Sequence, residues 1–114
     1  MRAATQFKKG ALEMCVLYLL KNEDRYGYDL TQVVNKYVPT TEGALYPVLR
    51  RLVKEDFCIS YTKESSGGPS RKYYRITSKG EDYLASLIED WDIFVQNIKK
   101  MREDEDNGLN KRVF

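Results

Sequence analysis

The spacing of apolar and polar residues divides the chain into helical segments and one pair of strands. In the first half of the chain, apolar residues recur every three to four positions, as on one face of a helix. The three short helices predicted from this spacing cover residues 6–21, 26–37 and 41–55. Over residues 57–62 and 71–77 the period shortens to two, which predicts two strands joined as a hairpin. The predicted fold class is α+β and mostly helical.

A long apolar stripe follows the strand pair. It begins near Lys79, behind a capping hydroxyl from Thr77 or Ser78, and repeats with a near-heptad period. At about 25 residues, or roughly 37 Å, this helix is too long for a core of three short helices to cover. The uncovered part predicts a homodimer in which two copies pack their last helices together. The residues assigned to this interface are Leu84, Leu87, Ile88, Trp91, Phe94 and Ile98.

The third predicted helix combines an apolar back with a front of small, aromatic and cationic side chains. Thr40 or Thr41 would cap it, and Glu42 suits its positive N-terminus. Pro47 should make the helix start late or open with an irregular turn. Small front residues allow close approach to a DNA major groove, where Arg50 can reach a phosphate or a guanine edge. The alternative is an ordinary amphipathic surface helix with two arginines.

The predicted hairpin closes at the glycine-rich turn 65–70, and its return strand carries Arg71, Lys72 and Arg75. A glycine-rich tip beside cations suits a DNA-contacting wing, because backbone amides can approach phosphates and arginine can enter a minor groove. A plain flexible hairpin loop is the alternative. The order of helix, helix, basic helix, cationic hairpin and long apolar helix describes a dimeric winged helix-turn-helix.

Composition narrows the possible functions. The net charge of +2 on 114 residues means that any affinity for nucleic acid must come from local patches. The absence of histidine excludes histidine-based catalysis and zinc sites that need imidazole. Cys15 and Cys58 lie in apolar settings without a CxxC motif, so we interpret them as buried thiols. We predict no enzyme activity, no metal and no cofactor.

The sequence also predicts a cytoplasmic protein without a membrane partner. It contains no apolar run long enough to span a bilayer, and its N-terminus lacks a signal-peptide core. The modest net charge and the acidic residues 103–106 leave one alternative function open. In that alternative the winged helix serves protein interaction and dimerisation without specific DNA binding.

Four stretches carry a resemblance to a known family. They are Tyr26-Gly27-Tyr28-Asp29-Leu30, the EGALYPVLRRL run at 42–52, the GGPSRKYY run at 67–74 and the ITSKG run at 76–80. From about residue 10 to residue 98, the chain resembles the PadR-like transcriptional regulators of the short branch with a single C-terminal helix. The resemblance implies a homodimeric winged-helix repressor whose last helices form the dimer interface. The expected organisation is a DNA-binding domain at 1–77, a dimerisation helix at 78–106 and a flexible tail at 107–114.

The resemblance also assigns residues to double-stranded DNA. It implies that the recognition helix contributes the front residues and that the wing contributes the cations after the turn. The predicted DNA-binding residues are Thr41, Glu42, Gly43, Tyr46, Pro47, Arg50, Arg51, Gly68, Arg71 and Lys72. The chain departs from the family at Asp56, where glycine is usual at the end of the recognition helix. Aspartate tolerates the left-handed conformation better than most residues, so we expect the same turn at a small strain cost.

Trp91 matches a last-helix tryptophan of the multidrug-sensing repressors in the same branch. The match implies a cavity at the dimer interface for a small, flat aromatic or drug-like ligand, lined by Trp91, Phe94 and Val95. The alternative is that Trp91 only fills the dimer core. The predicted function is therefore a sequence-specific repressor that such a ligand could release from DNA.

Overall fold

The computed structural model describes residues 10–108. Within them the chain forms α1 (Ala11–Asn22), β1 (Arg25–Tyr26), α2 (Gly27–Asn35), α3 (Glu42–Lys54), β2 (Cys58–Lys63), β3 (Arg71–Ile76) and α4 (Ser78–Asp106). This order confirms the predicted α+β, mostly helical winged helix-turn-helix with a long C-terminal helix. α2 and α3 form the helix-turn-helix, and the β2–β3 hairpin is the wing.

A core of mostly aliphatic side chains joins the first three helices to the sheet. The fully or nearly buried apolar residues are Leu12, Val16, Leu17, Leu20, Leu30, Val34, Leu45, Leu49, Leu52, Cys58, Tyr74 and Leu84. Their helical members recur at the spacing that the sequence predicted, so each helix buries one stripe. Thr31 is also buried, and its hydroxyl donates a hydrogen bond to the Gly27 carbonyl at 3.0 Å.

The sheet is antiparallel with the strand order β1-β3-β2. The wing strands pair over their whole length, from Cys58 opposite Ile76 to Lys63 opposite Arg71. β1 adds a third strand that the sequence did not predict, because two residues are too few to show a period. It pairs Tyr26 with Tyr73 and so fixes the start of α2 to the wing.

Two predicted helix boundaries are wrong. Gly10 has a φ of 94°, which is not helical, so α1 begins at Ala11; residues 6–9 lie outside the described residues. The second helix covers only Gly27–Asn35, and the side-chain oxygen of Asn35 accepts a hydrogen bond from the Thr40 amide at 2.8 Å. Tyr37, the last residue of the predicted helix, therefore lies beyond the helix and is exposed.

α3 begins where the sequence predicted. The Thr41 hydroxyl accepts a hydrogen bond from the Ala44 amide at 3.2 Å and caps the helix. Of the two effects that Pro47 was expected to have, the late start does not occur, since the helix runs through Pro47 from Glu42. Pro47 deprives the Gly43 carbonyl of its helical donor, but both residues are exposed, so water can replace that donor.

Asp56 ends the recognition helix as expected. Its φ of 65° is left-handed, and the Asp56 and Phe57 amides donate hydrogen bonds to the Val53 and Leu52 carbonyls at 3.0 and 2.9 Å. This bond pair is a Schellman motif, the usual helix end with a left-handed residue. It turns the chain from α3 directly into the wing.

The start of α4 is fixed against the end of the recognition helix. The Thr77 hydroxyl accepts a hydrogen bond from the Gly80 amide at 2.9 Å, which confirms the predicted cap. A Cβ atom on Gly80 would collide with the Phe57 carbonyl, so this close approach requires glycine. The Phe57 and Tyr83 rings stack with their centroids 4.0 Å apart.

The chain divides into two compact units within α4. The first ends at Leu84 and the second begins at Ala85. Leu84, which the apolar stripe assigned to the dimer interface, is 2% exposed and belongs to the core of the first unit. It has no surface left for a partner, so that assignment is wrong. No helix within residues 10–108 is long and apolar enough to cross a membrane.

Candidate nucleic-acid interface

The N-terminal turn of α3 presents an open surface. Thr41, Glu42, Gly43 and Pro47 are all exposed. A Cβ atom on Gly43 would meet only the Thr41 hydroxyl, at 3.8 Å, so the backbone there can be approached closely. This is the surface that the sequence predicted for a DNA groove.

Tyr46 is held in place by α2. Its ring packs on Gly27, where an added Cβ atom would lie 3.0 Å from Cε1 of Tyr46. The glycine of the Tyr-Gly-Tyr motif therefore serves the helix–helix contact. Burial, and secondarily the charge of Glu42, raise the pKa of Tyr46, so its hydroxyl stays protonated and can donate a hydrogen bond at neutral pH.

The wing has an ordered tip and an anchored base. Gly67 has a φ of 74°, Gly68 is exposed, and the Ser65 hydroxyl donates a hydrogen bond to the Pro69 carbonyl at 2.8 Å. At the base, Asp24 accepts hydrogen bonds from Tyr61 at 2.6 Å and from Arg75 at 3.0 Å. The wing is thus attached to the segment between α1 and β1.

A cavity of about 360 Å³ lies between the recognition helix and the wing. It is lined by Tyr26, Gly27, Tyr28, Tyr46, Arg50, Arg71, Lys72 and Tyr74. Four of the predicted DNA-binding residues therefore share one site. The Arg71 guanidinium stacks 4.7 Å from the centre of the Tyr26 ring, which holds it at the cavity wall.

The cavity is positively charged. Arg50, Arg71 and Lys72, which we call the front cations, form no ion pair with any carboxylate among residues 10–108. The cavity lining also contains no aspartate or glutamate. Such unbalanced positive charge favours an anionic ligand.

Arg51 does not join the front cations, although the sequence predicted it among the DNA-binding residues. Its guanidinium forms an ion pair with Glu13 of α1, and the same carboxylate accepts a hydrogen bond from Tyr83 of α4. Glu13 is largely buried, with 14% of its side chain exposed. Arg51 therefore connects α3 to its neighbouring helices, which its position beside Arg50 in the sequence did not reveal.

Sequence reasoning missed three tyrosines of the cavity. Tyr26 and Tyr28 flank Gly27 in the Tyr-Gly-Tyr motif, but the motif does not indicate which part of the fold the two tyrosine rings contact. Tyr74 is buried and appeared only as a strand residue. Burial is the main cause that raises the pKa of Tyr74; the charges of Tyr46 and Cys58 add to it, and Arg50 opposes it. The one available signal was the alternation of the strand, which places Tyr74 on the side opposite Arg71 and Tyr73.

Comparisons with known proteins agree with this architecture. Residues 16–86, more than half of the chain, match the Transcriptional regulator PadR-like family. An uncharacterized protein from Lysinibacillus sphaericus is 35% identical over 102 residues, covering 80% of this chain and 94% of that protein.

Two solved structures are similar in both sequence and fold. A PadR-like transcriptional regulator from Bacillus cereus is 39% identical, with 84% of this chain and 95% of that chain covered and a TM-score of 0.75. A PadR family transcriptional regulator from Eggerthella lenta is 31% identical, with 87% and 88% covered and a TM-score of 0.78. The chain therefore belongs to the PadR-like family of transcriptional regulators.

Proposed function

We propose that the chain acts in the cytoplasm as a homodimeric, sequence-specific repressor that a flat aromatic ligand releases from DNA. Family membership supports a DNA-binding regulator rather than an enzyme. The main structural support for the proposal is the group of front cations, which lies between the exposed start of the recognition helix and the anchored wing. Their charge has no partner among the described residues and is available to DNA phosphates.

In this proposal the recognition helix enters the major groove with its N-terminal turn. Thr41, Glu42, Gly43 and Pro47 are exposed there and lie nearest to base edges. Gly68 lies at the tip of the wing, where a side chain would meet the Ser65 hydroxyl at 3.1 Å. We propose that the wing tip approaches the adjacent minor groove.

We propose that α4 forms the dimer interface. Trp91, Phe94, Ile98 and Met101 lie at helical spacing on one side of α4 and are all exposed in the single chain. Leu87 and Ile88 lie near the same stripe and are half-buried. Leaving so many large apolar side chains in water is unfavourable, and pairing with a second copy removes them from it.

The dimer proposal is tested by a matched pair of substitutions. Phe94→Glu changes a residue of the stripe that is 60% exposed, whereas Ile93→Glu changes a residue that is 49% exposed and lies outside the stripe, about 100° around the helix from Phe94. Analytical ultracentrifugation should show monomers for Phe94→Glu and dimers for Ile93→Glu. Equal dimerisation of both variants would place the interface elsewhere.

Sequence-selective DNA binding is tested by fluorescence anisotropy. The labelled duplexes are the DNA upstream of the protein's own gene, fragments enriched from genomic DNA by the protein, and a scrambled control. Tight, selective and salt-sensitive binding would support the repressor, with half-sites one or two helical turns apart. Weak and equal binding to all duplexes would favour the alternative, a winged-helix module that interacts with protein.

Ligand release is tested by the intrinsic fluorescence of the single tryptophan, Trp91. Trp91 is 42% exposed and lies beside Phe94 and Val95 on the proposed interface. A flat aromatic compound between two copies should quench Trp91 and lower DNA affinity in the same titration. Compounds that do neither would leave Trp91 as a packing residue of the dimer.

A further inference from the structure

We propose that the cavity between α3 and the wing binds a free nucleotide, and that a bound nucleotide excludes DNA from this surface. The phosphate of the nucleotide lies among the front cations, and its base lies against the tyrosine rings. The binding site is inferred from the lining of the cavity, whereas the effect on DNA rests on the proposed function. The site is distinct from the proposed aromatic site on α4, because Trp91 does not line this cavity.

The tyrosines distinguish the cavity from a surface that only follows a DNA backbone. Four of the eight lining residues are tyrosines, namely Tyr26, Tyr28, Tyr46 and Tyr74. Contacts to the phosphates of a duplex need cations and hydrogen-bond donors, whereas the bases of a duplex stay stacked inside it. Aromatic rings beside cations instead suit an unpaired base together with its phosphate. The lining therefore indicates a ligand that has both a flat ring and an anionic group.

Tyr28 supplies the ring surface for the base. It is 50% exposed, and its ring stacks on that of Tyr26 with the centroids 6.3 Å apart. The Tyr26 ring is less available, because the Arg71 guanidinium stacks on it and the centroid of the Tyr73 ring lies 5.6 Å away. A base that stacks on Tyr28 extends this group of rings, and such stacking tolerates any base.

The cations and two phenol groups suit the phosphate. Arg50, Arg71 and Lys72 supply positive charge, and the lining contains no carboxylate. The Tyr46 and Tyr74 hydroxyls form no hydrogen bond to protein atoms within residues 10–108 and can donate to a ligand. A phosphate monoester carries a charge of about −1.5 to −2 and three strong acceptor oxygens, so it uses these donors more fully than a carboxylate does.

The size and the order of the cavity suit one nucleotide. Its volume of about 360 Å³ lies within the range of roughly 300 to 1,000 Å³ that is usual for small-molecule sites. Tyr46 is packed on Gly27 and Arg71 is stacked on Tyr26, so the lining needs little ordering when a ligand binds. A single strand of nucleic acid needs a longer groove, which follows about four or more nucleotides. A free nucleotide is therefore the favoured occupant.

Calorimetric titration of the full chain tests the site. The ligands are AMP, GMP, CMP and UMP, and the matched controls are the four nucleosides, which lack the phosphate, and ribose 5-phosphate, which lacks the base. We expect at least one nucleotide to bind about tenfold or more tightly than both of its controls, because each control loses one half of the contacts. If no nucleotide binds, or if ribose 5-phosphate binds as tightly as the nucleotides, the inference is wrong.

Three substitutions assign the binding to the cavity and divide it between the two ends of the ligand. Tyr28→Ala should lower affinity for the tightest nucleotide about tenfold and leave that for ribose 5-phosphate unchanged, since only the base stacks there. Arg50→Ala should weaken the binding of both ligands. Lys36→Ala removes an exposed cation outside the cavity and should bind the nucleotide as the wild type does. Equal losses in Lys36→Ala and Arg50→Ala, or no loss in Tyr28→Ala, would place the nucleotide elsewhere and overturn the inference.

Competition with DNA tests the second half of the inference. The apparent Kd for a labelled duplex should rise in proportion to nucleotide concentration without reaching a plateau, as for two ligands that exclude each other. Unselected duplexes at low salt serve for this measurement, since exclusion does not depend on sequence. A plateau would mean that nucleotide and DNA bind together, and the proposed exclusion would be wrong. If a six-nucleotide single strand binds the cavity more tightly than every nucleotide, the free-nucleotide assignment is overturned.

Failure of the inference and failure of the proposed function give different results. If a nucleotide binds the cavity and displaces unselected DNA, but no genomic sequence is selected, the nucleotide site stands and the sequence-specific repressor fails. If a genomic duplex is bound selectively and no nucleotide binds, the repressor stands and the inference is wrong.

Discussion

Arg50 and Arg51 are neighbours in one helix but lie in different chemical settings. Arg50 lines a cavity with two other cations and several tyrosines, and no carboxylate lies in that lining. Arg51 forms an ion pair with the largely buried Glu13. The first arrangement leaves charge available for a ligand, whereas the second uses charge to connect three helices.

The same contrast occurs along β3. Arg71 is stacked on Tyr26 and has no carboxylate partner among the described residues, whereas Arg75 is bonded to Asp24 at 3.0 Å. In each of these two pairs of arginines, the one that lines the cavity has no carboxylate partner among the described residues and the other has one. The number of cations in a motif therefore does not predict how many of them are available to DNA.

The largest expected effect is on DNA affinity when a front cation is removed. Arg50→Ala should weaken binding about 10- to 100-fold and reduce the salt slope by about one, since one phosphate contact is lost. The free energy of unfolding should change by no more than about 0.5 kcal/mol, because the side chain is exposed and unpaired. The measurement is anisotropy titration at several salt concentrations, with urea unfolding in parallel.

Arg51→Ala is the control for that experiment. It should leave the salt slope unchanged, because its guanidinium already pairs with Glu13. An equal decrease of the salt slope of DNA binding in both variants would show that Arg51 also contacts DNA. Arg50 and Arg51 would then not differ in their availability to DNA.

The second effect is on stability when the paired cation is removed. Arg51→Met should lower the free energy of unfolding by about 1–2 kcal/mol, because the largely buried Glu13 carboxylate would lose its cationic partner and retain only the hydrogen bond from Tyr83. This value is below that of a fully buried pair, since half of the Arg51 side chain is exposed to solvent that screens the interaction.

Glu13→Gln combined with Arg51→Met completes a double-mutant cycle. The double variant should be more stable than the sum of the two single changes predicts, because the unpaired carboxylate is gone. Urea unfolding at neutral pH measures all three variants. Additive losses would mean that the ion pair contributes nothing to the connection between the helices.

The fold could be predicted from the sequence because most of its signals are local. Helical spacing predicted the recognition helix, period-two alternation predicted the wing, and the capping hydroxyls of Thr41 and Thr77 were visible in advance. β1 was missed because two residues show no period. The end of α2 was placed too late because the Asn35–Thr40 hydrogen bond is not a feature of helical spacing.

The candidate site was predictable only in part because it depends on contacts between distant residues. Arg50, Arg71 and Lys72 were found from the motifs that carry them. The pairing of Arg51 with Glu13 joins residues far apart in the chain, as does the packing of Tyr46 on Gly27. Leu84 fits the apolar stripe as well as Trp91 does, and only burial separates the core residue from the exposed one.

A smaller effect is expected where the wing is anchored. Asp24→Asn should lower the free energy of unfolding by about 1 kcal/mol, because Arg75 loses its ion pair and Tyr61 loses a charged acceptor. Thermal unfolding followed by circular dichroism measures the change. Glu23→Gln is the matched control, since Glu23 is an exposed partner of Arg25 and its loss should cost less than about 0.5 kcal/mol. Equal effects would mean that Asp24 does not anchor the wing.

The smallest expected effect is a loss of stability at alkaline pH, which depends on the buried thiol and phenol groups behind the front cations. Burial raises the pKa of the Cys58 thiol from 9.0 to about 11, and burial also raises the pKa of Tyr46 and Tyr74. As the pH rises, the folded chain therefore holds protons that the unfolded chain releases. The contribution of each group to the free energy of unfolding is complete below its unfolded pKa and is lost as pH rises through its folded pKa. For Cys58 alone the loss at pH 9.5 is about 0.8 kcal/mol. Urea unfolding between pH 7 and 10.5 should show this decline.

Cys58→Ala tests the assignment of that decline. The variant should be less stable at pH 7, because Cys58 is 1% exposed and its removal leaves a small cavity. Its stability should nevertheless fall less steeply above pH 9, since one of the titrating groups is absent. Arg71→Ala removes an exposed cation that does not shift the pKa of Tyr46, Cys58 or Tyr74, so it should retain the wild-type slope of stability against pH. A slope that changed in Arg71→Ala and not in Cys58→Ala would mean that the alkaline loss of stability arises among the exposed charges and not from the buried groups.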